Sequence, residues 1–173
     1  MADDSKPAAP TGPLASLITE AQNGNLSVSF SQDVVVNADE FAYMIRDCKA
    51  FKEEIRSLQL LARRISSTPD WGLGEKNQRL VSAQKLVGRF RSKAMKAGLP
   101  TDSDNNIFDI LDDHYKIIDD LQTLHSTIAQ NYCQQDQEFA AEFNKKTANL
   151  EPSPIGTPMQ PGTIPTNFLG KSS

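Results

Sequence analysis

Asn37 to Ser67, NADEFAYMIRDCKAFKEEIRSLQLLARRISS, is the stretch on which the reading of the whole chain turns. Phe41, Met44, Cys48, Phe51, Ile55, Leu58, Ala62 and Ile65 step by three and four without a break. That spacing is the apolar stripe of a helix packed lengthwise on another helix. Asn37 followed by Glu40 has the form of a capping box, so the helix is predicted to open at Ala38. Ser67-Thr68-Pro69 ends it, because proline lacks the next N–H and restricts the residue before it. A helix of this kind needs partners, and the flanking sequence supplies them.

On the C-terminal side, Leu80, Ala83, Val87, Phe90, Ala94 and Ala97 repeat the three-four spacing. They predict a second helix that starts after Gly74, runs back along the first and stops at Gly98-Leu99-Pro100. Ile107, Ile110, Ile117, Leu121, Leu124 and Ile128 mark a third helix, which Phe139 and Phe143 extend to Ala148, a length of about 40 residues. Its stretch from Gln130 to Gln137 is polar apart from Tyr132 and Cys133, so this end is expected to project beyond the bundle. Phe139 and Phe143, one turn apart, would be a free apolar pair for a partner.

On the N-terminal side, Leu26, Val28 and Phe30 alternate with serines and lead into Val34-Val35-Val36, the pattern of an extended arm over residues 26–36. A lone strand must lie along the helices or pair with another chain. Residues 1–25, with Pro7, Pro10 and Pro13, are read as a disordered segment. The Pro-rich tail over residues 149–173, with Pro152, Pro154, Pro158, Pro161 and Pro165, is read the same way. The expected fold is therefore all-α: an antiparallel helical hairpin with a long third helix, a bundle over residues 37–148 between loose termini.

The chain has 173 residues, and 38% are hydrophobic, leaner than an average globular domain of about 45–50%. A small or elongated core follows. A net charge of −4 disfavours general attraction to phosphate backbones, so no nucleic-acid partner is assigned. Charge is nonetheless segregated. Lys76, Arg79, Lys85, Arg89, Arg91, Lys93 and Lys96 occur without an acid among them, whereas the third helix is rich in aspartate. Pairing between these neighbours, or with a partner helix, is the expectation. Met1-Ala2-Asp3-Asp4-Ser5-Lys6 opens no secretory signal peptide, and no run approaches the ~18 apolar residues of a membrane span.

No catalytic constellation assembles from the sequence. His114 and His125 lie three turns apart on one helix, about 16 Å by rise, too far to share a metal or a proton. Cys48 falls on the apolar stripe, where a thiol behaves as a hydrophobe, and Cys133 is expected to be half exposed. Whether either is ever oxidised is not decided by spacing. No phosphate-binding loop, nucleophile elbow, HExxH or CxxC occurs. The reading is of a non-enzymatic protein with no cofactor and no metal.

Two features stand above a generic bundle. Thr68-Pro69-Asp70-Trp71-Gly72-Leu73-Gly74 carries the chain's single tryptophan between proline and two glycines. Tyr132-Cys133-Gln134-Gln135-Asp136 places an acid four residues after a tyrosine, late on the last helix. Tyr43 with Asp47 and Tyr115 with Asp119 share that spacing, so position, not spacing, singles out Tyr132. Over residues 38–136 the combination of helices, a Trp-Gly turn and a C-terminal YxxxD resembles the actinobacterial substrates of type VII (ESX) secretion, the WXG-type and Esp-type helical-hairpin proteins. Glycine here occupies the first and third positions after Trp71.

The resemblance implies a hairpin exported folded, usually paired with a second helical protein. Tyr132 and Asp136 would be the secretion signal, lying one turn apart and read by the type VII translocation ATPase. Trp71, Gly72 and Gly74 would form the hairpin turn. The protein would then reach the medium or the cell envelope by a route without a signal peptide. Two other classes stay open on the residues alone. One is a cytoplasmic helical adaptor or regulator whose basic helix binds nucleic acid or an acidic partner. The other is a helical assembly subunit that self-associates.

Overall fold

The computed structural model describes residues 10–26, 36–96 and 105–156, and these are all-helical, without a strand among them. Five helices follow in order: α1 (Ala15–Gln22), α2 (Ala38–Ser67), α3 (Val81–Ala94), α4 (Ile107–Gln135) and α5 (Gln137–Ala148). The arm expected over residues 26–36 lies, apart from its two ends, outside the described residues. So do residues 1–9 and 157–173 of the two termini.

The first helix begins where the capping pattern places it: the Asn37 side chain accepts a hydrogen bond from the Asp39 N–H at 2.9 Å. With 30 residues, α2 is about 45 Å long and forms the spine. Its main neighbour is α4, and the cross-links fix their relative direction. Phe41 meets Tyr132, Lys52 pairs with Asp119 at 2.6 Å, Arg56 donates to the Tyr115 hydroxyl at 2.5 Å, and the Arg63 guanidinium sits over Phe108. Residue numbers rise on one helix as they fall on the other, so α2 and α4 run antiparallel.

The second helix does not run back from the Trp71 loop along α2. A turn centred on Asn77 occupies the space first: Asn77 N–H donates to Gly74 O, Leu80 N–H to Asn77 O, and Asn77 Oδ1 accepts from Arg79 N–H. Helix α3 therefore starts only at Val81, and it is its last turns that touch the end of α2. Arg91 donates to Thr68 O at 2.6 Å, and Ser66 Oγ lies 3.5 Å from Met95 O.

The long third helix is in fact two. At Asp136 the backbone is extended, with φ −133° and ψ 114°, and the carboxylate accepts from the N–H groups of Glu138 and Phe139. An aspartate offering its side chain to the next turn's donors stops one helix and caps another. The projecting end expected here is accordingly absent, because α5 folds back onto α2 and α4. Lys146 ties it to Asp39 at 2.9 Å.

The N-terminal segment is not wholly irregular either. Helix α1 lies along α4, with Ile18 and Ala21 fully buried. Leu14 N–H donates to Asp120 Oδ2 at 2.7 Å, and Asn131 Nδ2 donates to Ala21 O at 2.9 Å. Just before the helix, a Cβ on Gly12 would fall 2.2 Å from the Asp120 carboxylate, so any side chain there would have to displace it. The buried apolar set remains small and rich in alanine, as the lean composition implies.

Candidate functional site

The Trp71 loop is built by carboxylates accepting from backbone. Glu75 takes the N–H groups of Trp71 and Leu73, and Asp70 takes that of Gly72 at 3.0 Å. Lys76 closes on Asp70 at 2.5 Å. The Lys76 ammonium and the Gly72 N–H hold the Asp70 carboxyl below its ordinary range, and the Trp71 N–H does the same for Glu75. Gly72 and Gly74 both take positive φ, at 70° and 85°, a conformation that disfavours a Cβ. The indole stacks on Phe90 of α3 at 5.6 Å. Trp71, Gly72 and Gly74 thus join α2 to the far end of α3; they do not make a tight reversal between antiparallel neighbours.

Tyr132 and Asp136 straddle the α4–α5 junction. The Tyr132 ring packs against Phe41 at 6.2 Å and Phe139 at 5.4 Å, while the Asp136 carboxylate is turned to the first N–H groups of α5. The Asp136 N–H still bonds Tyr132 O at 2.8 Å, but the helix breaks at Asp136 itself, which turns its carboxylate to α5. Phe139 is not free for a partner: it is 5% exposed and meets Phe41 edge-on at 6.0 Å. Phe143 stacks on it at 6.0 Å and is half-buried. This aromatic cluster is internal.

The remaining chemistry-bearing residues stay apart. His125 lies against Phe41 and His114 is exposed on the same helix. Cys48 and Cys133 are free and partly buried, and burial raises both thiols above their ordinary range. Among the described residues no group of three or more His, Cys, Asp or Glu is arranged to hold a metal ion. No described helix is long and apolar enough to cross a membrane. Of the basic segment, Lys76 takes Asp70, and among the described residues Lys85, Arg89 and Lys96 enter no ion pair, while Lys116 of α4 takes Asp112 and Asp113. Helix α3 meets α4 only marginally, which leaves those charges without a facing helix.

What the helices leave open is apolar. Along the α2–α4 pair, Phe51 is 43% exposed, Leu58 41%, Ile110 41% and Ile117 39%. The register set by Lys52–Asp119 and Arg56–Tyr115 brings Phe51 and Leu58 alongside the α4 turns that carry Ile110 and Ile117. Several large apolar side chains open on one length of a helix pair mark a surface that would be buried against something else. Sequence reasoning assigned these four to the internal seam, because periodicity tells which residues share a stripe and not whether a neighbour covers it. It also missed Asp120, the buried acceptor that holds α1, and Ile155, which lies on α2. No family model, curated protein or solved structure matches this chain.

Proposed function

We propose that this protein is a non-enzymatic helical binding module, exported by a type VII secretion system or acting as the targeting partner of an exported protein. The open apolar length of the α2–α4 pair, Phe51 and Leu58 with Ile110 and Ile117, carries the binding part of this reading. A partner helix with its own three-four stripe would pack along that length in coiled-coil fashion. The export part rests on the resemblance, with Tyr132 and Asp136 as the signal read by the translocation ATPase. Asp136 is exposed at the α4–α5 junction and Tyr132 half-buried beside it, so recognition would involve the junction itself.

The test follows the protein in culture filtrate from wild-type cells and from a strain lacking the type VII ATPase. Export that vanishes with the ATPase supports the reading. Within it, Asp136→Asn is the informative variant, because asparagine keeps the cap acceptor while removing the carboxylate. Lost export of a variant that melts like wild type assigns the signal; unchanged export removes Asp136 from it. Retention in both strains discards secretion.

A second reading is favoured by one observation, Lys85 and Arg89, exposed on α3 and without an ion-pair partner among the described residues. A cytoplasmic adaptor would use them to hold nucleic acid or an acidic partner, and the affinity would fall steeply as salt rises.

A further inference from the structure

Helix α3 is held to the body along one side. Val87 and Ala94, two turns apart, are buried, whereas Lys85 with Arg89 and Leu86 with Phe90, each pair one turn apart, are exposed. Leu86 and Phe90 are each 45% exposed. The stack of Trp71 on Phe90 brings the preceding loop beside this outer side. Two more open apolar side chains come with it, Leu73 and, lying over Gly74, Leu80.

Charge is concentrated on the same element. Residues 76–101 hold seven Lys and Arg and no Asp or Glu, in a chain of net charge −4, so the rest of the molecule is strongly acidic and α3 is its positive side. Three of the seven are engaged: Lys76 with Asp70, Arg91 with Thr68 O and Pro69 O, and Lys93 with Asn105 O. Arg79, Lys85, Arg89 and Lys96 are exposed and enter no ion pair among the described residues. The acids next to them in the chain, Asp70 and Glu75, are taken by Lys76 and by backbone N–H groups of the loop itself.

The mixture of free cations with large alkyl side chains decides the kind of ligand. A nucleic-acid backbone would satisfy the cations but leave Leu73, Leu80 and Leu86 in water, and a base-stacking platform needs open aromatic faces, whereas one face of Phe90 is covered by Trp71. An anionic bilayer surface satisfies both sets, with the alkyl groups among the headgroups and the cations at the level of the phosphates. We propose that α3 and the Trp71 loop form an interfacial docking surface for anionic phospholipid. Leu73, Leu80, Leu86 and Phe90 enter the headgroup region, and Arg79, Lys85, Arg89 and Lys96 pair with lipid phosphates. With 14 residues, α3 is about 21 Å long, shorter than the ~30 Å hydrocarbon core, so it lies on the bilayer and does not cross it. This surface is separate from the open α2–α4 face, and the inference does not rest on the binding or export reading above.

Flotation of the full-length protein with vesicles tests it. Binding is expected to phosphatidylcholine vesicles that contain phosphatidylglycerol, weakening as salt rises, and not to phosphatidylcholine alone. Each cation lost near an anionic surface weakens binding about fivefold, so Lys85→Gln with Arg89→Gln should lower the affinity roughly twentyfold. Leu86→Ser should lower it several-fold, and Leu58→Ser, on the α2–α4 face, should leave it unchanged, all with melting curves like that of wild type. Brominated acyl chains in the mixed vesicles should quench Trp71 fluorescence. No flotation with the mixed vesicles, flotation that survives Lys85→Gln with Arg89→Gln, or bound protein whose Trp71 is not quenched overturns the proposal. Tighter binding to a single-stranded oligonucleotide than to the mixed vesicles, lost with the two cations but indifferent to Leu86→Ser, overturns it in favour of nucleic acid.

Discussion

The apolar stripe of α4 has two halves that differ in their neighbours. From Asp120 to Asn131 the helix carries α1, anchored through Leu14 and Ala21, and along that half Leu121, Leu124 and Ile128 are partly buried. From Ile107 to Ile117 no helix among the described residues covers it comparably, and Ile107, Ile110 and Ile117 are exposed. Residue types and spacing are alike in the two halves. Coverage is decided by a segment about a hundred residues earlier in the chain, so a stripe states that a helix has a face to bury without stating what buries it.

The largest effect is expected at the cluster that closes the C-terminal end. Phe139→Ala removes a buried ring touching Phe41, Tyr132 and Phe143, and should cost about 3–5 kcal/mol, read from thermal or denaturant unfolding. Stability within ~1 kcal/mol of wild type would mean that α5 is not part of the folded body. On the covered half of α4, Ile18→Ala should cost about 2–4 kcal/mol, and Asp120→Ala about 1–3 kcal/mol through the orphaned Leu14 N–H. The contrasting change on the open half, Leu58→Ser with Ile117→Ser, should alter stability by about 1 kcal/mol or less. Equal losses on the two halves would abolish the distinction between them.

The smallest effect is confined to the Trp71 loop. Asp70 and Glu75 are both held below the usual carboxylate range by the donors they accept from. A folded-state value below the unfolded one stabilises the fold above the ordinary carboxylate range near pH 4, and that contribution is lost as pH falls through the lowered values. Trp71 fluorescence should therefore hold steady from neutral pH to about pH 4 and change below it. The Glu75→Gln variant should show the altered signal at neutral pH. A transition that begins well above pH 5 would contradict this account of the loop.

How far the fold was legible depends on where the deciding contact lies along the chain. The start of α2 followed from Asn37 and its end from Pro69, both local signals. The all-helical class followed from three-four spacing. The break at Asp136 was also written locally, as a good capping residue inside a polar stretch, but the apolar pair beyond it suggested continuity. Helix α1 hid among prolines and small residues, because what holds it is distant in sequence: Ile18 and Ala21 buried on α4, with Asp120 and Asn131 bonding its backbone. The main partner of α2 turned out to be α4, with α3 meeting the end of α2, since the Asn77 turn delays α3 in a way that periodicity does not register. For the candidate site, the Tyr132 spacing was visible in sequence but the helix break at its acidic member, Asp136, was not. Ile155 comes to lie on α2 only through the return of the chain after α5 to Arg46 and Asp47.

The claim that the uncovered length of the pair is a docking surface is tested most directly by placing photoreactive benzoylphenylalanine in living cells at position 58, and as a control at position 16 on the outer side of α1. The account predicts a single dominant adduct from position 58, joined to the apolar stripe of one helical protein or of a second copy, and none from position 16. Equal, diffuse labelling from both positions would contradict it.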